Sequence, residues 1–527
     1  MIARLGPIIG LIGTVISSLC AAQGSPTRPL WGDLAPGPYE VGFRVLYRLD
    51  RSRVWDASPD SVSRSDFARP VRVSLWYPAR HPAGGRSMRY RDYVHFTAPN
   101  AYFARVDGLL ETRETNSWEN AFKGSGRSLQ DLLNLPVMAG MDAGASDGIF
   151  PLVMYSEGWN SSSQNDNSVL AEFLASRGYV VAAVPQLGTS STSLTLGLNP
   201  IDLETQMRDV EFAMGVVQEQ PFVDTRKLAL MGWSMGGVVS LWLGARNPNV
   251  DAIVGLDASF RARDFVTMVL ASPYFDIRQI HAPLLALQSG NTKYMGGQDD
   301  RVVDSLHFAD RLIGRVANIT HGDFSDFAMV AKLFPLHLED RTAAQASGGH
   351  VAIAGTVVGF LDAVFHGKPS PAVGLQRVAE GRDSVISLKF HESAKIPSEV
   401  EWVAMLDSSG FDRTLVQYET VRRRYPTLAV IRYPILNRLS YSLRDNGKGD
   451  LALAAFRLNA AAHPTFADAY DSLADGYLAK GDSTSARRAY QQVLNALNSD
   501  TSLSASSRED YRSRAEQYIR SHPASPP

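Results

Sequence analysis

Between Phe150 and Gly290, apolar runs without a polar face alternate with segments of helical spacing. FPLVMYS, YVVAAVP, KLALMGW, VDAIVGLDA and APLLALQSG read as strands. SVLAEFLASRG, LETQMRDVEFAMGVVQEQ and GGVVSLWLGARN fall between them as helices. A strand apolar on both sides must be covered on both sides. Strand–helix alternation achieves this with a mostly parallel sheet between two helical layers, joined by right-handed crossovers. An α/β architecture is therefore the expected class. Upstream, VGFRVLYRL and RPVRVSLWYP predict two more strands, and in the second Val71, Val73 and Leu75 alternate with Arg72 and Ser74. RVANIT predicts the last strand, and GHVAIAGTVVGFLDAVFHG a closing helix near residue 366.

A chain of 527 residues exceeds one ordinary core, so further regions are expected. Residues 1–22 read as a signal peptide: Arg4, an apolar run from Leu5 to Leu19, then the small residues of CAAQG, with cleavage near Ala22. The chain is accordingly expected to be exported, to the periplasm or beyond. No later stretch reads as apolar enough to span a bilayer. Cys20 is the only cysteine, so the mature chain excludes disulfides, zinc–thiolate sites and a cysteine nucleophile. A net charge of -2 carries no basic excess for nucleic acid. Residues 25–370 are expected to hold the α/β domain, with 98–135 as a candidate lid. Residues 371–430 read as a linker with some structure. From 431 to 522 a 34-residue spacing emerges: Leu436, Leu439, Leu443, Gly447, Ala452 and Phe456 return as Tyr470, Leu473, Tyr477, Gly481, Ala486 and Tyr490. That is the period of tetratricopeptide helix pairs, a candidate surface for a protein partner, although a plain helical bundle would also carry it.

The chemistry centres on LALMGWSMGGVVSLW, residues 228–242. Ser234 falls where a buried strand turns sharply into a helix, the arrangement of a nucleophile elbow. Gly232, Gly236 and Gly237 supply the small neighbours such a turn requires. A serine hydroxyl needs a base. His281, His307, His321, His337, His350 and His366 all follow the elbow; His321, opening HGDFSDF after the last expected strand, is the best placed, and His350 is second. The base needs a carboxylate to hold its tautomer. Asp257 ends the strand AIVGLDA and is preferred to Asp299 and Asp300, which lie about ten residues beyond a strand. The backbone N–H of Met235 and of Trp159, in MYSEGWNSSS, are the expected oxyanion donors.

Together these residues resemble bacterial α/β-hydrolases of the platelet-activating-factor acetylhydrolase type, close to dienelactone hydrolases, over residues 37–366. GPYEVGF and RPVRVSLWYPA resemble the family's first strands, YSEGW its oxyanion loop, GWSMGG its elbow, GLDA the segment with its acid, and HGDFSDF its histidine segment. The last two matches favour Asp257 and His321 over their rivals. The resemblance implies an α/β-hydrolase fold and ester hydrolysis through an acyl-serine, with no metal or cofactor. Its implied substrate is a small ester or a lipid. Glu157 stands where many relatives have a histidine, which adds a carboxylate near the site. GWSMGG also resembles the elbow of polyester hydrolases and cutinases, whose acid follows a later strand. A peptidase or amidase of the same fold, and a non-catalytic scaffold acting through its repeats, are the competing expectations.

Overall fold

A computed structural model describes residues 29–523, apart from 56–67, 81–84, 160–162, 164, 190–193, 195, 196, 198, 274, 291–295, 382 and 383. The expected signal peptide, with Cys20, lies outside the described residues. The chain divides into two compact units, Met1–Ser393 and Ala394–Pro527.

The first unit is built on an 11-stranded mixed sheet. Its strands are β1 (Glu40–Val54), β2 (Ala68–Ala79), β3 (Arg86–Arg89), β4 (Pro136–Met141), β5 (Phe150–Ser156), β6 (Val180–Val184), β7 (Val223–Trp233), β8 (Ala252–Leu256), β9 (Leu284–Ser289), β10 (Arg311–Val316) and β11 (Ile386–His391). They lie in the order β11-β10-β9-β8-β7-β5-β6-β2-β1-β4-β3. From β6 to β10 every neighbouring pair is parallel, while β2, β3 and β11 pair antiparallel. Side-chain alternation divides each central strand between two cores. Leu228 and Leu230 of β7 enter one; Ala229 and Met231 enter the other. Both faces are covered, which is why these strands are apolar throughout.

The helices of this unit are α1 (Arg91–Val94), α2 (Ala101–Phe122), α3 (Leu129–Leu133), α4 (Ser168–Ser176), α5 (Pro200–Gln218), α6 (Met235–Arg246), α7 (Arg263–Ala271), α8 (Arg301–Asp304), α9 (Phe327–Leu333), α10 (Ala343–His366) and α11 (Pro371–Glu380). Their starts follow local chemistry. Asn199 caps α5 by accepting from the N–H groups of Ile201 and Asp202, and Pro200 occupies the first turn, where its missing N–H costs nothing.

Arg72 and Ser74 alternate with the apolar positions of β2 and are buried like them, because α4 packs on the strand. Arg72 is neutralised there by Asp107 of α2 at 2.8 Å. Three expectations need correction. The last parallel strand is β10, ending at Val316, so RVANIT supplies only its end. α10 is long and apolar enough, by length and composition, to cross a membrane, although half of that stretch is buried, with Ile353, Val357, Phe360 and Leu361 in the core. The segment from 371 is not one linker. ISLKFH alternates apolar and polar residues and pairs with β10 from Arg311↔His391 to Val316↔Ile386, carrying the first unit to Ser393.

The second unit is helical: α12 (Glu399–Ser409), α13 (Phe411–Arg424), α14 (Tyr433–Asp445), α15 (Gly449–Ala462), α16 (Ala467–Ala479), α17 (Ser483–Ala496) and α18 (Ala505–Ser521). The pair α14–α15 is followed by α16–α17 with both starts displaced by 34 residues, Tyr433 to Ala467 and Gly449 to Ser483. Gly447 and Gly481, at φ 78° and 76°, turn each pair. A Cβ on Gly476 would lie 2.9 Å from Phe456, so the small residue lets neighbouring helices close on the aromatic ring.

Candidate active site

Ser234 sits between β7 and α6 at φ 55° and ψ -122°, a left-handed conformation uncommon for a residue with a Cβ. The turn closes through hydrogen bonds from Ser234 N–H to Leu256 O (3.1 Å) and from Ser259 N–H to Ser234 O (2.9 Å). The glycine spacing has a direct steric cause. A Cβ on Gly232 would lie 2.1 Å from the Gly236 carbonyl carbon, and one on Gly236 would lie 2.1 Å from Ser156 O. Strand, helix and the end of β5 therefore meet backbone to backbone. Ser234 is buried at the start of α6, and Met235 is the first residue of that helix. Helix N-terminal N–H groups favour negative charge at this point.

Asp257 follows β8 directly, at φ 42°. Its N–H donates to Leu287 O (2.8 Å), and its carboxylate accepts from Ser289 N–H (2.8 Å) and Ser289 Oγ (3.1 Å). The remaining direction is taken by His321, whose Nδ1 lies 2.7 Å from Asp257 Oδ2. His321 opens a 3-10 turn, His321–Phe324, beyond β10. Asp323 fixes that turn by accepting from Thr320 N–H (2.7 Å), and Arg341 holds Asp323 in turn (2.5 and 3.0 Å). Further along, Asp326 accepts from Ser168 Oγ (2.5 Å) and Val169 N–H (3.1 Å), tying the histidine segment to the start of α4. Trp233 packs its ring on that of His321, with centroids 5.0 Å apart.

Asp299, Asp300, His350 and His281 are engaged elsewhere. Asp300 pairs with Arg261 at 2.7 Å and Asp299 with Arg301 at 2.8 Å. His350 is buried within α10 with Nδ1 3.2 Å from Asp323 O, and burial pushes its pKa down to about 4. His281 packs against Phe308, and His366 ends α10.

Trp159 lies in the loop after β5 and is 41% exposed. Glu157, two residues earlier, is buried. It accepts from Gln186 N–H (2.5 Å) and Arg113 (3.1 Å). Arg113 also donates to Gln186 O (3.1 Å), and Glu114 accepts from Ser163 Oγ (2.7 Å). Helix α2, inside the candidate lid, thus holds the loops after β5 and β6. Burial raises the pKa of both Glu114 and Glu157 to about 7, against the pull of Arg113 and Arg72. Sequence reading missed Arg113, Glu114 and Gln186. A signal was present: Asp107 and Glu114 interrupt the apolar stripe of Phe103, Val106, Leu110 and Trp118, where an exposed helix would not place acids.

Comparison with known proteins gives a family model, described as the prolyl oligopeptidase family (Peptidase_S9), matching residues 166–269. The match takes in Ser234 and Asp257 and ends before His321. No curated protein sequence matches the chain. Among solved structures, a ferulic acid esterase from Streptomyces cinnamoneus is 21% identical, over 67% of this chain and 98% of its own, with a TM-score of 0.47. The sheet with helices on both faces fits the α/β-hydrolase fold, and the family match, which spans the serine turn, supports a serine hydrolase.

Proposed function

We propose that this serine hydrolase cleaves carboxylic esters through Ser234, His321 and Asp257. The observation that carries the reading is the 2.7 Å contact between His321 Nδ1 and Asp257 Oδ2, formed beyond the ends of β10 and β8, next to the strand that ends at the Ser234 turn. With Nδ1–H directed at the carboxylate, Nε2 takes the Ser234 proton as Oγ attacks the ester carbonyl. The tetrahedral oxyanion is received by the N–H groups of Met235 and Trp159. Collapse expels the alcohol, which takes the proton from the imidazolium. Water, activated by the same histidine, then releases the acid from the acyl-serine.

The substrates that this reading favours are short-acyl or lipid-like esters, in keeping with the acetylhydrolase and dienelactone hydrolase resemblance. Export to the periplasm or medium follows from the N-terminal signal. The repeated helix pairs of the second unit are assigned as tetratricopeptide-like, a surface for a protein partner. The family match also favours a second reading, a peptidase.

The test is turnover of p-nitrophenyl esters of increasing acyl length by the mature protein and by Ser234→Ala, beside aminoacyl p-nitroanilides. Ester turnover lost in the variant supports the reading. Anilide turnover without ester turnover moves the chain to the peptidases. No turnover, with no fluorophosphonate label on Ser234, would leave a non-catalytic scaffold.

A further inference from the structure

The residue directly before Ser234 makes two contacts across 88 positions of sequence. Trp233 Nε1–H donates to His321 O at 3.2 Å, and its ring lies stacked on the imidazole at 5.0 Å and 28°. Both follow from strand geometry. Ala229, Met231 and Trp233 share one face of β7, and Phe324 and Met329, close behind His321, pack into the same core. The backbone of Trp233 also pairs with Leu256, the residue before Asp257, so the residue that touches the histidine stands in register with the acid's strand.

We propose that Trp233 is a positioning residue for His321, a role resting on the esterase reading above. The bond to Asp257 holds Nδ1, but coupled turns about Cα–Cβ and Cβ–Cγ can still tilt the ring and carry Nε2 away from Ser234. A planar group stacked on one face removes that freedom. The donor on the His321 carbonyl fixes the main chain from which the ring hangs. The imidazolium formed when Ser234 loses its proton also faces an indole, whose π surface attracts a cation. These effects bear on the reacting state rather than on substrate capture, so Trp233 acts on kcat and leaves KM nearly alone.

The test uses the full mature chain, p-nitrophenyl acetate and two variants. In Trp233→Leu, which removes ring and donor, kcat falls roughly 100-fold with KM within about threefold, the loss expected of a misplaced catalytic group. Trp233→Phe keeps a ring face without the N–H and restores part of that loss. Thermal unfolding of each variant separates misplacement from misfolding. Should Trp233→Leu fail to fold, Trp233→Phe decides: a kcat reduced about fivefold or more at constant KM supports the role, and wild-type kcat overturns it. A folded Trp233→Leu with wild-type kcat overturns it too, as does a raised KM with unchanged kcat, which would make the indole a wall of the substrate pocket. Failure of the esterase reading looks different: the wild-type protein itself would neither turn over esters nor take a fluorophosphonate label on Ser234.

Discussion

The two units handle left-handed backbone in opposite ways. Among the described residues, the helical unit places it at Gly410, Gly447 and Gly481, where no side chain resists it. The hydrolase unit also has such glycines, but it places Asp142, Ser234, Asp257 and Asn318 at positive φ as well. Two of these four are the proposed nucleophile and acid. Each such residue costs on the order of 1–3 kcal/mol, and the surrounding structure must hold it there. A turn that only joins helices can take the least strained residue. A turn that presents a hydroxyl or carboxylate above a sheet cannot exchange that residue for glycine.

The sharpest way to break this contrast is to remove the functional group and keep the strain. Ser234→Ala should lower kcat on the order of a million-fold while leaving thermal unfolding nearly unchanged, because alanine inherits the same φ. Retained turnover of p-nitrophenyl acetate would remove the reason for strain at this position. Next comes Asp257→Asn. The amide can no longer hold the Nδ1–H tautomer, and kcat should drop roughly 10,000-fold, read on the same substrate. A drop below tenfold would make Asp257 a structural residue.

A smaller effect concerns two buried carboxyls of the hydrolase unit, Glu114 and Glu157. Glu114 and Glu157 have pKa values raised from 4.5 to about 7. The folded chain therefore binds protons that the unfolded chain releases. Their contribution to stability is complete below about pH 4.5, declines as pH rises through about 7 and stays lost above it. Midpoints of thermal unfolding measured from about pH 5 to about pH 8 should fall more steeply for the wild type than for Glu114→Gln/Glu157→Gln. Parallel curves would show that neither acid takes up a proton on folding. The smallest effect belongs to the repeats. Gly447→Ala and Gly481→Ala should each cost about 1–2 kcal/mol, seen as an earlier unfolding step, with ester turnover unchanged. No loss at either position would end the contrast from the helical side.

What the sequence disclosed follows the same division. Uniform apolar strands and the Gly232–Gly236 spacing are local signals, and each has a local cause: two covered faces, and three backbones in contact. The 34-residue spacing is likewise read within one segment. Long-range polar partners were not legible. The partner of Arg72, Asp107, lies on a helix 35 positions away, and nothing near Arg72 in the chain points to it. The clamp of Arg113 on Glu157 joins a helix to a loop, with no periodicity to announce it. For the proposed base, position after a strand narrowed six histidines to a preferred one. Only the folded chain brings His321 beside Asp257, 64 residues apart, and the indole of Trp233 left no mark in the pattern.

The ends of the sheet have a consequence for life at high concentration. Eleven strands in series terminate in β3, four residues long with Arg86 and Arg89 exposed, and in β11, which carries Lys389 and His391. An open strand invites a second chain to continue the ladder, and short or cationic edges discourage it. At β3 the strand is also short, so a second copy would find few backbone groups to pair with. The sheet can thus be long within the molecule and still resist growing between molecules.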